Sequence, residues 1–204
     1  MPKILNEPLI LLILGTAILA LTALHPHDYA TWWMETAPIF IALPILVVTY
    51  KTYTLTPLLY RLLFLHALIL MVGGHYTYAE VPLGYWMQDW FGFARNNYEK
   101  IGHLAQGFIP ALLFRELLLR SSPLKPGKLL FTLVVASCLA VSASYELIEW
   151  AAAEMIGQGA DAFLGTQGYA WDTQSDMLMA LIGAVVAQAV LGKVQDFQLE
   201  RRVQ

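Results

Sequence analysis

The stretch KLLFTLVVASCLAVSASYELIEWAA, residues 128–152, decides the fold class. Between Lys128 and Glu146 it carries no charge, and its length exceeds the roughly 20 residues a helix needs to cross a hydrocarbon core about 30 Å thick. It also ends on two glutamates, Glu146 and Glu149, which an apolar helix has no ordinary use for. Five further apolar runs flank it: Pro8–Leu24, Thr36–Tyr50, Pro57–Gly74, Ile101–Leu119 and Gln174–Leu191. The second is short for a span and contains Pro38 and Pro44, whose freed backbone groups need neighbours or bends to satisfy them.

Composition agrees. Of 204 residues 58% are hydrophobic and 13% charged, with a mean hydropathy of +0.57. A soluble globule carries about 25% charged residues, so lipid is the solvent this chain expects. The length suits a single domain, residues 1–204, and neither repeats nor low-complexity segments divide it. A net charge of −3 without a Lys/Arg stripe excludes a nucleic-acid partner. The single cysteine, Cys138, lies within an apolar run and reads as a small core residue. Lys3 followed by Pro8–Leu24 has some character of a secretory signal, but the run is just long enough to span and reads as a retained first helix.

The expected architecture is all-α, a bundle of about six transmembrane helices. Charge sets its orientation, because cytoplasmic segments carry the excess of Lys and Arg. With the N-terminus inside, ten basic residues lie inside: Lys3, Lys51, Arg61, Arg115, Arg120, Lys125, Lys128, Lys193, Arg201 and Arg202. Only Arg95 and Lys100 lie outside. Five or seven spans would scramble that division. Both termini are therefore expected in the cytoplasm. Two longer connections fall outside, His75–Lys100 and Ala153–Thr173. The first, with Tyr85-Trp86 and Trp90-Phe91, has the aromatic character of an interfacial helix; both are expected to fold over the outer end of the bundle.

Ionisable groups in spanning helices cost about 2.5–3.5 kcal/mol each on insertion scales, so each asks for a reason. At the start of the fourth span, RNNYEKIGH (95–103) places Glu99 and His103 four apart on one face. YELIEW (145–150) places Glu146 and Glu149 near the outer end of the fifth, where the helix dipole disfavours negative charge. WDTQSD (171–176) places Asp172 and Asp176 on the first turns of the sixth, and His75 closes the third at the same level. Helices running in different directions thus bring acids to one depth. Asp172 has a plain alternative as an N-cap, Asp176 as a dipole partner and Glu99 as a first-turn acid. Nominated as metal ligands are His103, Glu146, Glu149, Asp172 and Asp176; as catalytic groups Glu146, Glu149 and Asp176; as substrate contacts His75, Arg95, Asn97, Tyr98 and Lys100. Oxygen-rich sites with a histidine suit a divalent cation, so one divalent metal ion is the expected cofactor. No His-Glu-x-x-His, nucleophile elbow, P-loop or dinucleotide fingerprint is present. His25 and His27 fall in an outer turn, and His66 reads as a satisfied interior histidine.

These segments carry a family resemblance. GGHYTY (73–78), the stretch 95–103 with Gln106-Gly107, 145–150, and GTQG (165–168) through WDTQSDM (171–177) resemble the YjdF-like family of bacterial inner-membrane proteins, a domain of unknown function. The likeness covers most of the chain. It departs at Tyr169, where the family often has an acid, and at Ser175, where it often has an aromatic residue. More distantly, the order of polar groups is similar to that of VanZ-like proteins, known for association with glycopeptide resistance; Glu99, Lys100, His103, then Glu146 or Glu149, then Asp172, Asp176 and Gly183 would correspond. That likeness implies an envelope-facing role on an amphiphilic or lipid-linked molecule. Three readings stand open: a metal-binding or catalytic site opening outward, a small ion- or proton-handling transporter, and a structural protein whose acids pair with Arg95 and Lys100. The oligomeric state is not written in the sequence, although the small residues Gly183–Ala187 permit close helix contact.

Overall fold

The computed structural model describes residues 7–156 and 167–203. Among them the chain is entirely helical: α1 Glu7–Thr22, α2 Tyr29–Thr49, α3 Pro57–Tyr76, a 3-10 turn at Tyr78–Glu80, α4 Pro82–Phe91, α5 Tyr98–Ser121, α6 Lys128–Ile156 and α7 Asp172–Val203. Four of these, α2, α3, α6 and α7, are long and apolar enough to cross a membrane. α1 is as apolar but has 16 residues, and α5 has 24 but carries charge at both ends.

Local chemistry sets the helix ends. Asp28 caps α2, its carboxylate accepting from the Thr31 backbone N–H at 2.6 Å. Proline opens α3 and α4, where its missing N–H is no loss. Gly92 closes α4 in the left-handed conformation, φ 68°. α2 begins at Tyr29, seven residues before the expected Thr36, because the cap and the aromatic first turns extend it; Pro38 and Pro44 then lie inside a full-length span. α7 runs on to Val203, twelve residues past the expected Leu191.

α5 is the hub. It packs most extensively on α7 and also contacts α3 and α6, while α3 joins it to α1 and α2. The α5–α7 seam is a backbone approach made by glycine. A Cβ on Gly107 would fall 1.9 Å from the Ala180 carbonyl oxygen, and one on Gly183 2.2 Å from that of Leu104. Ala180, Ala184 and Ala187 continue the same fully buried stripe, so the small-residue spacing is used within the chain. Below the seam lies an apolar core that includes Leu59, Ala111, Leu112, Leu130, Val134 and Cys138. Leu147, Ile148, Ile41, Ile45, Val48 and Val190 point outward and exposed, as lipid-facing side chains do.

One end of the bundle is closed by polar bonds. Fully buried Glu116 accepts from the Thr56 hydroxyl (2.7 Å), the Thr56 N–H (3.1 Å) and Arg120 (2.8 Å). Beside it Arg115 reaches Gln195 at 3.2 Å and Asp196 at 2.8 Å. At the opposite end α4 presents Tyr85, Trp86, Trp90 and Phe91 to the surroundings, so this connection does hold a helix with an exposed aromatic face. Residues 157–166 of the second connection lie outside the described residues.

Candidate functional site

The first turns of α5, the last turns of α6 and the first turns of α7 meet at the end of the bundle that carries α4. Glu99, His103 and Asp176 are all buried there, and one ligand atom from each lies within 4.8 Å of the others. Two ligands at about 2.0–2.6 Å from one ion sit that far apart, so the three can share a cation. His103 Nε2 lies 3.8 Å from Asp176 Oδ1, and its Nδ1 lies 3.9 Å from Glu146 Oε1. Nδ1 is also 3.0 Å from Gln106 Oε1. With Nδ1–H donating to that amide oxygen, Nε2 keeps its lone pair toward Glu99 and Asp176, the arrangement of a metal-ligating histidine held by an outer hydrogen bond.

Arg95 and Lys100 are already engaged. Arg95 pairs with Asp172. Lys100 Nζ bridges Asp172 at 2.7 Å and Asp176 at 2.8 Å. The ring of Tyr169 lies beneath both cations, 5.0 Å from Arg95 and 5.9 Å from Lys100. Asp172 is thus both the first residue of α7 and the anchor of this ion-pair network. Among the described residues, neither Glu99, Glu146 nor Glu149 forms a salt bridge with lysine or arginine. Glu146 is buried beside Thr173, and its Oε1 has no hydrogen-bond partner among the described residues. Glu149, half-buried, stands within electrostatic reach of Glu146, Glu35, Asp176 and Asp172. Charge does not balance among the described residues: the six carboxyls of Glu35, Glu99, Glu146, Glu149, Asp172 and Asp176 face Arg95, Lys100 and one imidazole.

Two members of this group are absent from the nominated set. Glu35 on α2 is buried, and the Tyr78 hydroxyl hydrogen-bonds it. Tyr78 enters through a slot between two glycines. A Cβ on Gly73 would meet its Cζ at 2.6 Å, and one on Gly102 its Cε1 at 2.9 Å. Glu35 escapes a sequence reading that starts the second helix at Thr36, because it then falls one residue outside the span. Glu99, which the four-residue spacing puts on one face with His103 but which the sequence reading leaves out of the ligand set as a first-turn acid, joins it here.

The expected substrate contacts divide. Arg95 and Lys100 stand at the site. Tyr98 is buried and donates to the Ile69 carbonyl at 3.2 Å. Asn97 is the N-cap of α5 without a side-chain cap bond. Its neighbour Asn96 is the buried one: its side chain bonds the Val81 carbonyl and the Tyr98 N–H at 3.0 Å each, and its backbone pairs with the Gln167 amide at 2.8 and 3.2 Å. His75 stands apart, its Nδ1 2.9 Å from the Thr22 carbonyl, tying α3 to the end of α1.

A family described as predicted membrane proteins, DUF2238, matches residues 7–197. The chain belongs to this family. It is 52% identical over 200 residues to the inner membrane protein YjdF of Escherichia coli strain K12, covering 98% of this chain and 94% of that protein. No solved structure matches. The chain is accordingly an inner-membrane protein of a family without an assigned function.

Proposed function

We propose that the protein holds a single divalent cation at the outer end of a six-span bundle and uses it on an amphiphilic or lipid-linked envelope molecule. In this reading α1 and α5 also cross the membrane and both termini are cytoplasmic, as the ten-to-two division of basic residues requires. The buried Glu99–His103–Asp176 group, with mutually close ligand atoms, carries the proposal. The surplus of carboxyls supports it, because uncompensated buried charge asks for a cation or protons. Glu146, Glu149 and, on its free side, Asp176 are placed to complete the coordination or to serve as general base to a metal-bound water. Arg95 and Lys100 hold Asp172, and Lys100 also holds Asp176 Oδ1, so among the described residues Glu99, Glu146 and Glu149 are the acids without a lysine or arginine partner. The substrate class rests on the order of polar groups shared with VanZ-like proteins and on the aromatic helix α4 beside the site.

Ion or proton passage is the weaker reading. Glu99 and Glu116 lie about 25 Å apart along α5, and the apolar core around Leu112, Val134 and Ala184 fills the depth between the outer acids and the inner polar closure. Purified protein, equilibrated with Mn2+ or Zn2+ and desalted, is expected to retain metal, with Glu149→Gln binding about tenfold more weakly. No uptake at millimolar metal would instead leave the acids to protons and the ion-pair network.

A further inference from the structure

Lys100 stands on the first turn of α5, and its Nζ is shared between two carboxylates of α7. It donates to Asp172 Oδ1 at 2.7 Å and to Asp176 Oδ1 at 2.8 Å. The second of these oxygens also faces the histidine, 3.8 Å from His103 Nε2. An ion held by that nitrogen and that oxygen, at about 2.0–2.6 Å from each, lies between them and so within about 5 Å of the ammonium. At that spacing a divalent ion and an ammonium repel each other strongly in a buried site. The lysine is the one placed to give way. Its side chain is 17% exposed, against 3% for Asp176, so it borders the way out. On releasing Asp176 it keeps Asp172. The ring of Tyr169, itself exposed, lies 5.9 Å from Nζ and offers a further resting place. A compact point charge on a flexible four-carbon stem suits such a movement, as the rigid fork of an arginine would not.

We infer that the Lys100 ammonium is a tethered competitor of the cation, which leaves Asp176 when a divalent ion binds and keeps monovalent ions out. The inference rests on the cation reading of Glu99, His103 and Asp176, and it names the residue that sets the selectivity of that site. Exchanging an ammonium for Na+ or K+ leaves the charge among the carboxylates as it was. The free ion also gives up its translational freedom on binding, whereas the lysine, fixed to the same helix, has little to lose. A divalent ion differs. It adds one positive charge to a group of carboxyls that Arg95 and Lys100 do not neutralise, and that gain drives the exchange. Linkage makes the effect reciprocal: the ammonium weakens the ion by the same factor as the ion weakens the ammonium.

The test uses full-length protein in detergent with Mn2+, whose paramagnetic resonance signal reports the free ion. Lys100→Met, neutral and of similar length, is expected to bind Mn2+ about tenfold more tightly than the parent. Lys100→Arg, which keeps the charge, should bind no more tightly than the parent. Sodium supplies the selectivity arm. About 0.15 M NaCl should weaken Mn2+ binding to Lys100→Met beyond the effect of equal choline chloride, while the two salts should act alike on the parent. In the unaltered protein, saturating Mn2+ should raise acetylation of Lys100 by N-hydroxysuccinimidyl acetate about fivefold and leave Lys51 and Lys125 unchanged, a readout that needs no variant to fold. A folded Lys100→Met that binds Mn2+ no more tightly than the parent, or Lys100 acetylation unmoved by saturating Mn2+, would make the lysine a fixed clasp between α5 and α7. Either result overturns the inference and leaves the cation site standing. Failure of the parent and of Lys100→Met alike to bind Mn2+ would overturn the cation reading itself, and this inference with it.

Discussion

Gln106 sits one turn below His103 and fixes its ring through Nδ1, which leaves Nε2 to face the acids. In the proposed cation site this hydrogen bond, and not the imidazole alone, is what fits His103 to be a ligand. Replacing Gln106 with leucine should therefore weaken metal retention by about tenfold while the metal-free melting temperature moves little. Equal retention in the variant would show that the ring needs no such support. Asp28, far from the site, is a cap and nothing more. The Thr31 backbone N–H holds its carboxyl below the usual aspartate range. A carboxyl depressed on folding stabilises above its unfolded pKa and loses that contribution as pH falls through the folded value. Asp28→Ala should cost about 0.5–2 kcal/mol at neutral pH, with the difference from the parent shrinking in acid, as read by thermal unfolding at several pH values. Residues of this kind were legible as types and spacings. What stayed hidden was partnership: that Lys100 bridges Asp172 and Asp176, that Asn96 rather than Asn97 is buried, and that His75 turns away toward Thr22. Such choices depend on neighbours distant in sequence, which spacing along one helix does not encode.

Among the elements, the apolar runs were legible because lipid demands long uncharged helices whatever their neighbours. Their ends were not. α2 starts early because a cap and aromatic turns outweigh the polar look of residues 28–35, and that shift moves Glu35 from a loop into the acidic group. The α5–α7 seam shows the opposite case, where a visible pattern acquires its partner only in three dimensions. A methyl group at Gly107 meets a backbone carbonyl, which no rotamer change relieves. Gly107→Ala is expected to destabilise by about 1–3 kcal/mol through overpacking, and because α5 carries Glu99 and His103 while α7 carries Asp176, it should weaken metal retention as well. Parent-like melting in detergent would mean that the two helices separate without penalty. Gly92→Ala offers a contrast: nothing crowds that position, so any loss there comes from the left-handed backbone alone.

At the scale of the molecule, two polar groups close the two ends of an apolar bundle. The inner one is satisfied: Glu116 has Thr56 and Arg120, and Arg115 has Gln195 and Asp196. The outer one carries more acids than its cations match. On the proposed reading, that asymmetry is what separates a structural clasp from a cation site. Orientation follows from the basic residues, and a reporter fused after Gln204 is expected on the cytoplasmic side; periplasmic activity would reverse the bundle and turn the acids inward. In the proposed site Glu99, His103 and Asp176 together hold one divalent ion. Pulsed electron paramagnetic resonance of the purified protein loaded with Mn2+ tests it most directly. The account predicts a bound ion with a nitrogen coupling that disappears in His103→Gln, and loss of the bound signal in Asp176→Asn. Mn2+ that stays fully hydrated, or a nitrogen coupling that survives in His103→Gln, would contradict it.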